Sequence, residues 1–201
     1  MQKKALCALA LAPTMMALSV GAALPAHADQ HRHGNDYPES QGWQEVDDTI
    51  VLKKGEACSK KVILHYTSHE RTLVKGEDGY EPVLADDDFT PEAGDDFIIE
   101  TGEDGRFSLY SPKTDRKVRR PASGDFYQKV TRDGEDLRII AVGPNVYFGP
   151  SVNGIVWADG VQTLRVDDFA GEQGGTVENL QIEYGYAQQL CYRLGLRPVQ
   201  Q

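Results

Sequence analysis

Residues 97–111 read Phe-Ile-Ile-Glu-Thr-Gly-Glu-Asp-Gly-Arg-Phe-Ser-Leu-Tyr-Ser, two apolar segments on either side of the turn-forming Glu103-Asp104-Gly105. Phe107 and Leu109 alternate with polar residues, which is typical of a strand with one buried face. An Asp-Gly pair between two such segments predicts a hairpin. Short alternating segments and turn residues of this kind recur along the chain, and together they predict an all-β fold.

The same pattern extends in both directions from this stretch. Leu180, Ile182 and Tyr184 share one face of another predicted strand, and Asp-Gly pairs at 133–134 and 159–160 predict two further hairpins. A spacing of roughly 8–12 residues between strands favours an antiparallel sandwich or partly closed barrel. The predicted strands are residues 49–53, 61–66, 71–75, 97–101, 106–111, 116–120, 126–132, 137–142, 146–149, 154–158, 161–167, 179–184 and 188–194, and residues 89–93 fit a short helix.

The first 28 residues have the organisation of a secretory signal peptide. Lys3 and Lys4 precede an apolar run from residue 5 to residue 24, and Ala26-His27-Ala28 supplies an A-x-A cleavage site before Asp29. A retained transmembrane anchor is the alternative, but the run is rich in alanine and contains Pro13. We predict cleavage between Ala28 and Asp29, secretion into the extracellular space, and no membrane contact after cleavage.

Removal of residues 1–28 changes the composition of the chain. A flexible polar arm is predicted over residues 29–48 and a single β domain over residues 49–201. The charge falls from −10 to −12, because 19 basic residues remain against 31 acidic ones. Such an acid excess disfavours nucleic acid and anionic membranes as partners and favours a soluble monomer.

The cysteine count becomes even once the signal peptide is removed. Cys7 leaves with it, and Cys58 and Cys191 remain in an oxidising compartment. One disulfide between them would stabilise the fold by roughly 5 kcal/mol in the loop-entropy description. Two free buried thiols are the alternative.

Several segments of the chain resemble a group of small secreted actinobacterial β-proteins with no assigned function. The resemblance rests on residues 55–58 (Gly-Glu-Ala-Cys), 97–101, 143–149 (Gly-Pro-Asn-Val-Tyr-Phe-Gly) and 154–160 (Gly-Ile-Val-Trp-Ala-Asp-Gly), followed by a cysteine near the end. The chain departs from the group at residues 59–61, Ser-Lys-Lys, where a proline and an aromatic residue are expected. The resemblance implies secretion, a β fold and the terminal disulfide, and it implies no catalytic residue.

Cleavage before Asp29 would create a metal-binding terminus, Asp29-Gln30-His31. A free amine, two backbone amides and an imidazole form a square-planar set of four nitrogens suited to Cu(II) or Ni(II), and His33 could add a further ligand. This arrangement resembles the amino-terminal copper site of serum albumins. The alternative is a histidine with no metal role.

An acidic tract and a basic segment follow one another along the chain. Residues 77–104 contain twelve acids and no basic residue, which predicts either a weak Ca(II) site or a solvated acidic loop. Residues 106–132 contain eight basic and two acidic residues. This basic segment predicts a patch for an anionic cell-wall polymer or an acidic extracellular protein, or else solvated strand faces that pair with the acidic tract.

No motif identifies a catalytic residue. His69-Glu70 begins like a zinc-protease helix, but Leu73 occupies the position of the second histidine, and His65 with His69 would suit a metal only on a helix. Ser151 lacks the G-x-S-x-G context of hydrolases. The aromatic residues that could line a sugar or peptide site are Trp43, Trp157, Tyr147 and Phe148, although Trp157 fits the core better.

These observations predict a secreted, non-enzymatic binding or interaction module of the extracellular or cell-wall space. No cofactor is expected apart from Cu(II) or Ca(II) at the sites described above. Two alternatives remain from other classes: a hydrolase of extracellular polymers, and a metal-handling protein that uses the Asp29–His31 terminus.

Overall fold

The computed structural model describes residues 37–84, 87, 89–131, 136–167 and 176–199. Within them lie eleven β-strands and one turn of 3-10 helix at Glu39–Gln41, so the predicted all-β class is confirmed. The strands are β1 (Gln44–Leu52), β2 (Val62–Lys75), β3 (Tyr80–Pro82), β4 (Asp96–Thr101), β5 (Arg106–Ser111), β6 (Arg116–Pro121), β7 (Asp125–Val130), β8 (Asp136–Val142), β9 (Asn145–Gly149), β10 (Gly154–Asp167) and β11 (Thr176–Gln189).

All strand pairs are antiparallel and belong to one sheet. The main path through the sheet is β11-β10-β8-β7-β4-β2-β5-β6, with β1 and β3 also paired to β2 and β9 also paired to β10. Among the described residues no ladder joins β6 to β11, so the sheet is open. Its two end strands nevertheless approach each other, since Arg120 donates a hydrogen bond to Gln188 Oε1 at 3.0 Å.

Three strands, β2, β10 and β11, are 14 residues long. The sequence predicts each of them as two shorter strands, and for β10 this prediction includes a hairpin at Asp159-Gly160, which is wrong. Gly160 and Gly185 instead lie opposite each other with φ of +126° and +108°. The backbones approach so closely here that a Cβ on Gly160 would lie 2.1 Å from the Tyr184 carbonyl oxygen. Glycine therefore allows both strands to continue through a sharp deformation instead of turning back.

The hairpin predicted at residues 103–105 is also wrong. β4 pairs with residues 70–74 of β2 and β5 pairs with residues 63–67, so β4 and β5 lie end to end along one edge of β2. The turn between them is held by a hydrogen bond of 2.7 Å from the Gly102 amide to the His69 carbonyl oxygen. In contrast, β7 and β8 pair directly across the Asp133-Gly134 turn, which confirms the predicted strand pairing; the turn itself lies outside the described residues.

Smaller differences concern the ends of elements. β1 begins at Gln44 rather than at residue 49, β3 has no counterpart among the predicted strands, and residues 89–93 form no helix. The last strand ends at Gln189, so Cys191 lies in the turn that follows it. No helix among the described residues is long and apolar enough to cross a membrane.

Two apolar clusters fill the interior. The first lies behind β1, β2, β5 and β6 and packs them against β9 and β10, as two layers of a sandwich; its largest fully buried members include Phe107, Leu64, Leu109, Ile155, Leu190 and Leu194. The second lies behind β4, β7, β8 and the later part of β10; its buried members are Phe97, Ile99, Val130, Leu137, Ile139, Tyr147, Ala158, Leu164 and Val166. The first cluster and the strands around it form one half of the molecule, and the second cluster and its strands form the other. The three long strands connect these two halves.

The predicted disulfide is confirmed. Cys58 and Cys191 are bonded, with their Cα atoms 5.7 Å apart, and both side chains belong to the first apolar cluster. The C-terminal segment continues this connection, because the Val199 amide donates to the Ala57 carbonyl oxygen at 3.0 Å. The loop after β1 and the segment after β11 are thereby held together.

Candidate ligand-binding faces

The outward surface of the sheet is divided by a group of stacked side chains over β2, which we call the clasp. Tyr37 stacks on the His69 ring at 4.6 Å between ring centroids and contacts Trp43 edge-on at 4.8 Å. The Arg71 guanidinium lies 4.7 Å from the Trp43 ring centroid. Because these contacts hold residues 37–43 against the middle of the sheet, they leave two separate outward faces on either side.

Two carboxylates anchor the sheet side of the clasp. His69 Nδ1 lies 2.7 Å from Asp104 Oδ2, and Arg71 pairs with Glu100 at 2.7 Å. His65, four residues earlier on β2, pairs with Asp47 at 2.7 Å. The two histidines thus each have their own carboxylate partner, and the described residues contain no group of three metal-ligating side chains that could hold a metal ion.

The first outward face, which we call the basic face, is formed by β5 and β6 with their neighbours β1 and β2. Tyr110 lies opposite Lys117, and Ser108 lies opposite Arg119. Leu109 and Val118 point inward from the same two strands and are buried in the first apolar cluster. The outward side chains therefore stand on a well-packed layer.

The β5–β6 hairpin carries six cationic residues: Arg106, Lys113, Arg116, Lys117, Arg119 and Arg120. All except Arg120 are exposed, and none of the six forms an ion pair with a described residue. Arg106 donates to the carbonyl oxygens of Glu103 and Gly105 at 3.0 and 2.9 Å. Such neutral acceptors orient a guanidinium without compensating its charge.

The second outward face, which we call the groove face, is formed by β7, β8, β10 and β11. It contains a shallow groove of about 560 Å³. Tyr127 lies opposite Ile140 and Ile140 lies opposite Thr163, so these three side chains form one row across the groove. Tyr127 and Ile140 are 44% and 49% exposed, which gives the groove an apolar floor that no described residue covers.

A row of three cations lies beside this floor. Lys129 is opposite Arg138, and Arg138 is opposite Arg165. The two outer members have carboxylate partners: Lys129 pairs with Asp96 at 2.8 Å and Arg165 with Asp136 at 2.6 Å. The central one, Arg138, is exposed and has no acidic partner among the described side chains.

A bulge in β11 shapes one end of the groove. The register of β10 and β11 shifts between Thr163 and Arg165, and Asn179 adopts a φ of +53°. Asparagine tolerates this left-handed conformation better than most residues. Asn179 and Gln181 consequently both line the groove, and both are exposed.

A partly buried carboxyl lies beneath the clasp, on the inward side of β2. Glu70 accepts hydrogen bonds from the Tyr66 hydroxyl and, at 3.0 Å, from the Ser68 hydroxyl. Burial raises the pKa of the Glu70 carboxyl, although these two hydrogen bonds act in the opposite direction. On the groove face a carboxyl has a pKa shift in the opposite direction: the hydrogen bond from Lys129 lowers the pKa of Asp96.

The aromatic residues singled out in the sequence have different environments. Trp157 is 5% exposed in the first cluster and donates through Nε1 to the Pro121 carbonyl oxygen at 2.9 Å, as the core interpretation predicts. Tyr147 and Phe148 are also buried, so the prediction that they line an open sugar or peptide site is wrong. Trp43 belongs to the clasp.

Some predicted sites lie outside the described residues or are only partly within them. The signal peptide with its Ala28/Asp29 cleavage site and the copper terminus Asp29-Gln30-His31 precede residue 37. The acidic tract is described in part, and it contacts the basic segment through the Lys129–Asp96 pair. Most of the predicted pairing between tract and segment is not seen among the described residues.

Sequence reasoning missed the groove face. Its row of cations comes from three different strands, and no spacing along the chain relates Lys129, Arg138 and Arg165. The basic hairpin, in contrast, was visible as a local excess of charge. Comparisons with protein-family models, with curated proteins and with solved structures each find no match to this chain.

Proposed function

We propose that this protein is a secreted, non-enzymatic binding module of the extracellular or cell-wall space, and that its basic face holds an anionic polymer. The observation that carries the proposal is the β5–β6 hairpin, whose six cations have no ion-pair partner among the described residues although the whole chain has a net charge of −10. Arg106, Lys117 and Arg119 lie on its outward side, whereas Arg116 and Arg120 share the side of the buried Val118. Because neighbouring like charges repel each other, a ligand that supplies regularly spaced negative charges would stabilise this arrangement.

The geometry of the hairpin suits an extended ligand. Lys117 and Arg119 project from the same side of β6, and the Ser108 hydroxyl lies opposite Arg119 on β5. Tyr110 lies opposite Lys117, but its hydroxyl already donates to Asp115 Oδ1 at 3.1 Å. A cation beside a hydroxyl offers a phosphate or carboxylate both charge and a hydrogen bond. The buried Leu109 and Val118 beneath them hold the backbone in place, so binding requires little reorganisation of the sheet.

The charge of the rest of the chain favours a polymer of modest charge density over duplex nucleic acid. With 31 acidic against 21 basic residues, the chain as a whole repels a densely charged polyanion. Attraction that is confined to one hairpin should therefore be short in range and sensitive to salt.

The test is binding of the secreted protein to poly(glycerol phosphate) at several salt concentrations. The variant Lys117→Gln/Arg119→Gln should weaken binding about tenfold at low salt and lower the salt dependence by about two charge equivalents, because two contacts to the polymer are lost. The matched control is Lys129→Gln/Arg138→Gln on the groove face, which changes the net charge equally and should leave binding within about twofold.

Three results would overturn the proposal: no binding to the polymer at low salt, equal weakening by the two double variants, or equally tight binding to duplex DNA. Equal weakening would mean that only the net charge of the protein matters.

A further inference from the structure

The groove face points to a second binding site, and we propose that it takes a saccharide that carries a carboxylate. This site is distinct from the basic face and does not depend on the proposed function, since the clasp lies between the two faces and they share no residue. The volume of about 560 Å³ lies within the range of roughly 300–1,000 Å³ that is usual for sites of small ligands.

The floor of the groove suits the face of a sugar ring. Tyr127 and Ile140 lie side by side on adjacent strands and are each nearly half exposed. An aromatic ring next to an aliphatic side chain provides a flat apolar surface, against which the C–H face of a pyranose can pack while its hydroxyls remain directed outward.

Arg138 supplies the position for the carboxylate. Like charges directly opposite each other on neighbouring strands are destabilising, and Arg138 has a cation on both sides. Among the described residues, Asp96 and Asp136 compensate the outer two members of the row and no carboxylate compensates Arg138, whose charge can therefore bind a ligand. A guanidinium binds a carboxylate through two parallel hydrogen bonds and thereby also fixes its orientation.

The bulge in β11 supplies neutral hydrogen-bonding groups on the same groove. Asn179 and Gln181 line it, and each side-chain amide can both donate to and accept from a sugar hydroxyl. Bulges often redirect side chains next to binding sites, and this one brings Asn179 to the groove beside Gln181.

The pairing of the strands favours a saccharide over a peptide. β7, β8 and β10 are each paired on both sides, so the floor offers no free strand edge to which an extended peptide could add. The side-chain amides of Asn179 and Gln181, which line the groove, suit the hydroxyls of a sugar. The groove thus combines the charge of Arg138, the apolar surface of Tyr127 and Ile140, and the side-chain amides of Asn179 and Gln181.

The experiment is titration of the protein with trigalacturonate, followed by calorimetry and by NMR of the tyrosine and arginine side chains. Arg138→Gln should weaken binding at least tenfold, because it removes the partner of the carboxylate. Tyr127→Ala should weaken binding several-fold through loss of the stacking surface. Arg193→Gln, at an exposed position in the turn after β11 and on neither face, is the matched control and should bind like the wild type.

Neutral maltotriose and a short peptide with a free carboxyl terminus complete the design. Both should bind at least tenfold more weakly than trigalacturonate. The proposal is overturned if Arg138→Gln binds trigalacturonate as tightly as the wild type, if maltotriose binds equally well, or if the peptide binds more tightly. None of these outcomes bears on polymer binding by the basic face, which the Lys117→Gln/Arg119→Gln variant tests separately.

Discussion

The basic face and the groove face are built on the same sheet, but their cationic side chains differ in whether they have carboxylate partners. On the groove face, Lys129 and Arg165 each have a carboxylate within 2.8 Å, and Arg138 between them has no carboxylate partner among the described side chains. On the basic face, Lys117 and Arg119 have no ion-pair partner among the described residues. The first arrangement concentrates attraction at one point, which suits a small ligand, and the second spreads it along a hairpin, which suits a polymer.

The two faces also stand on different interiors. The basic face lies over the first apolar cluster, which contains the disulfide, and the groove face lies over the second cluster, which contains no disulfide. Three long strands join these halves. Whether the halves behave as two units or as one is therefore a question that stability measurements can answer.

The largest effect is expected from removal of the disulfide. Cys58→Ala/Cys191→Ala should lower the free energy of unfolding by about 4–5 kcal/mol, because the bond closes a loop with a sequence separation of 133 residues. Urea unfolding measures this loss. Hydrogen exchange should then accelerate more in β5 and β6 than in β7 and β8; equal acceleration in all four strands would show that the halves unfold as one.

A smaller loss is expected at the point where β10 passes from one half to the other. Gly160→Ala should cost about 3 kcal/mol or more, since its Cβ would meet the Tyr184 carbonyl oxygen at 2.1 Å and the residue has a positive φ. Gly55→Ala is the matched control: Gly55 has a φ of +88° but nothing within 4 Å, so only the backbone cost of about 1–2 kcal/mol applies. Equal losses in thermal unfolding would mean that the close approach of the strands is unimportant.

Replacement of Arg138 should weaken ligand binding but stabilise the folded protein. Arg138→Gln removes the central charge of the row and should raise the free energy of unfolding by about 0.5 kcal/mol at low salt, with the gain lost at about 1 M salt. Arg119→Gln should show a smaller salt-dependent gain, because its cross-strand neighbour is Ser108 and no cation lies directly opposite it. A loss of stability in Arg138→Gln at low salt would contradict the repulsion on which the groove proposal depends.

The smallest effect concerns pH, and its sign differs between Glu70 and Asp96. Burial raises the pKa of Glu70 in the folded state, so its charged form destabilises the fold above that pKa, and the penalty disappears as the pH falls through the ordinary range of a carboxyl. Glu70→Gln should therefore be more stable than the wild type at neutral pH, and the difference should shrink on acidification.

Asp96 should behave in the opposite way, because Lys129 lowers its pKa. Asp96→Asn should be less stable than the wild type at neutral pH, and this difference should shrink as the pH falls through the lowered pKa. Urea unfolding of both variants at several pH values measures the two trends. Trends of the same sign would show that the two carboxyls are not held in different environments.

Much of the β structure could be predicted from local signals. Phe107 and Leu109 alternate with polar residues and do point inward from β5, and the Asp133-Gly134 turn does join two paired strands. The turns at residues 103–105 and 159–160 have the same chemistry but no hairpin. At residues 103–105 no hairpin forms because β2 is long enough to pair with both β4 and β5. At residues 159–160 the strand continues because Gly185 lies opposite Gly160. Turn propensity does not contain that information, because it is a property of a few consecutive residues.

The two candidate faces also differ in how much of each could be predicted from the sequence. The basic hairpin could be predicted because its cations are neighbours along the chain, and the disulfide could be predicted because only two cysteines follow residue 28. The adjacency of Lys129, Arg138 and Arg165, and the apolar floor beside them, could not. Sequence alone determined the strand class, the disulfide and the charge of one hairpin, since alternation, cysteine count and composition are local or additive. Tertiary structure alone decided which strands became neighbours and in what register, because long-range packing of two apolar clusters sets that choice.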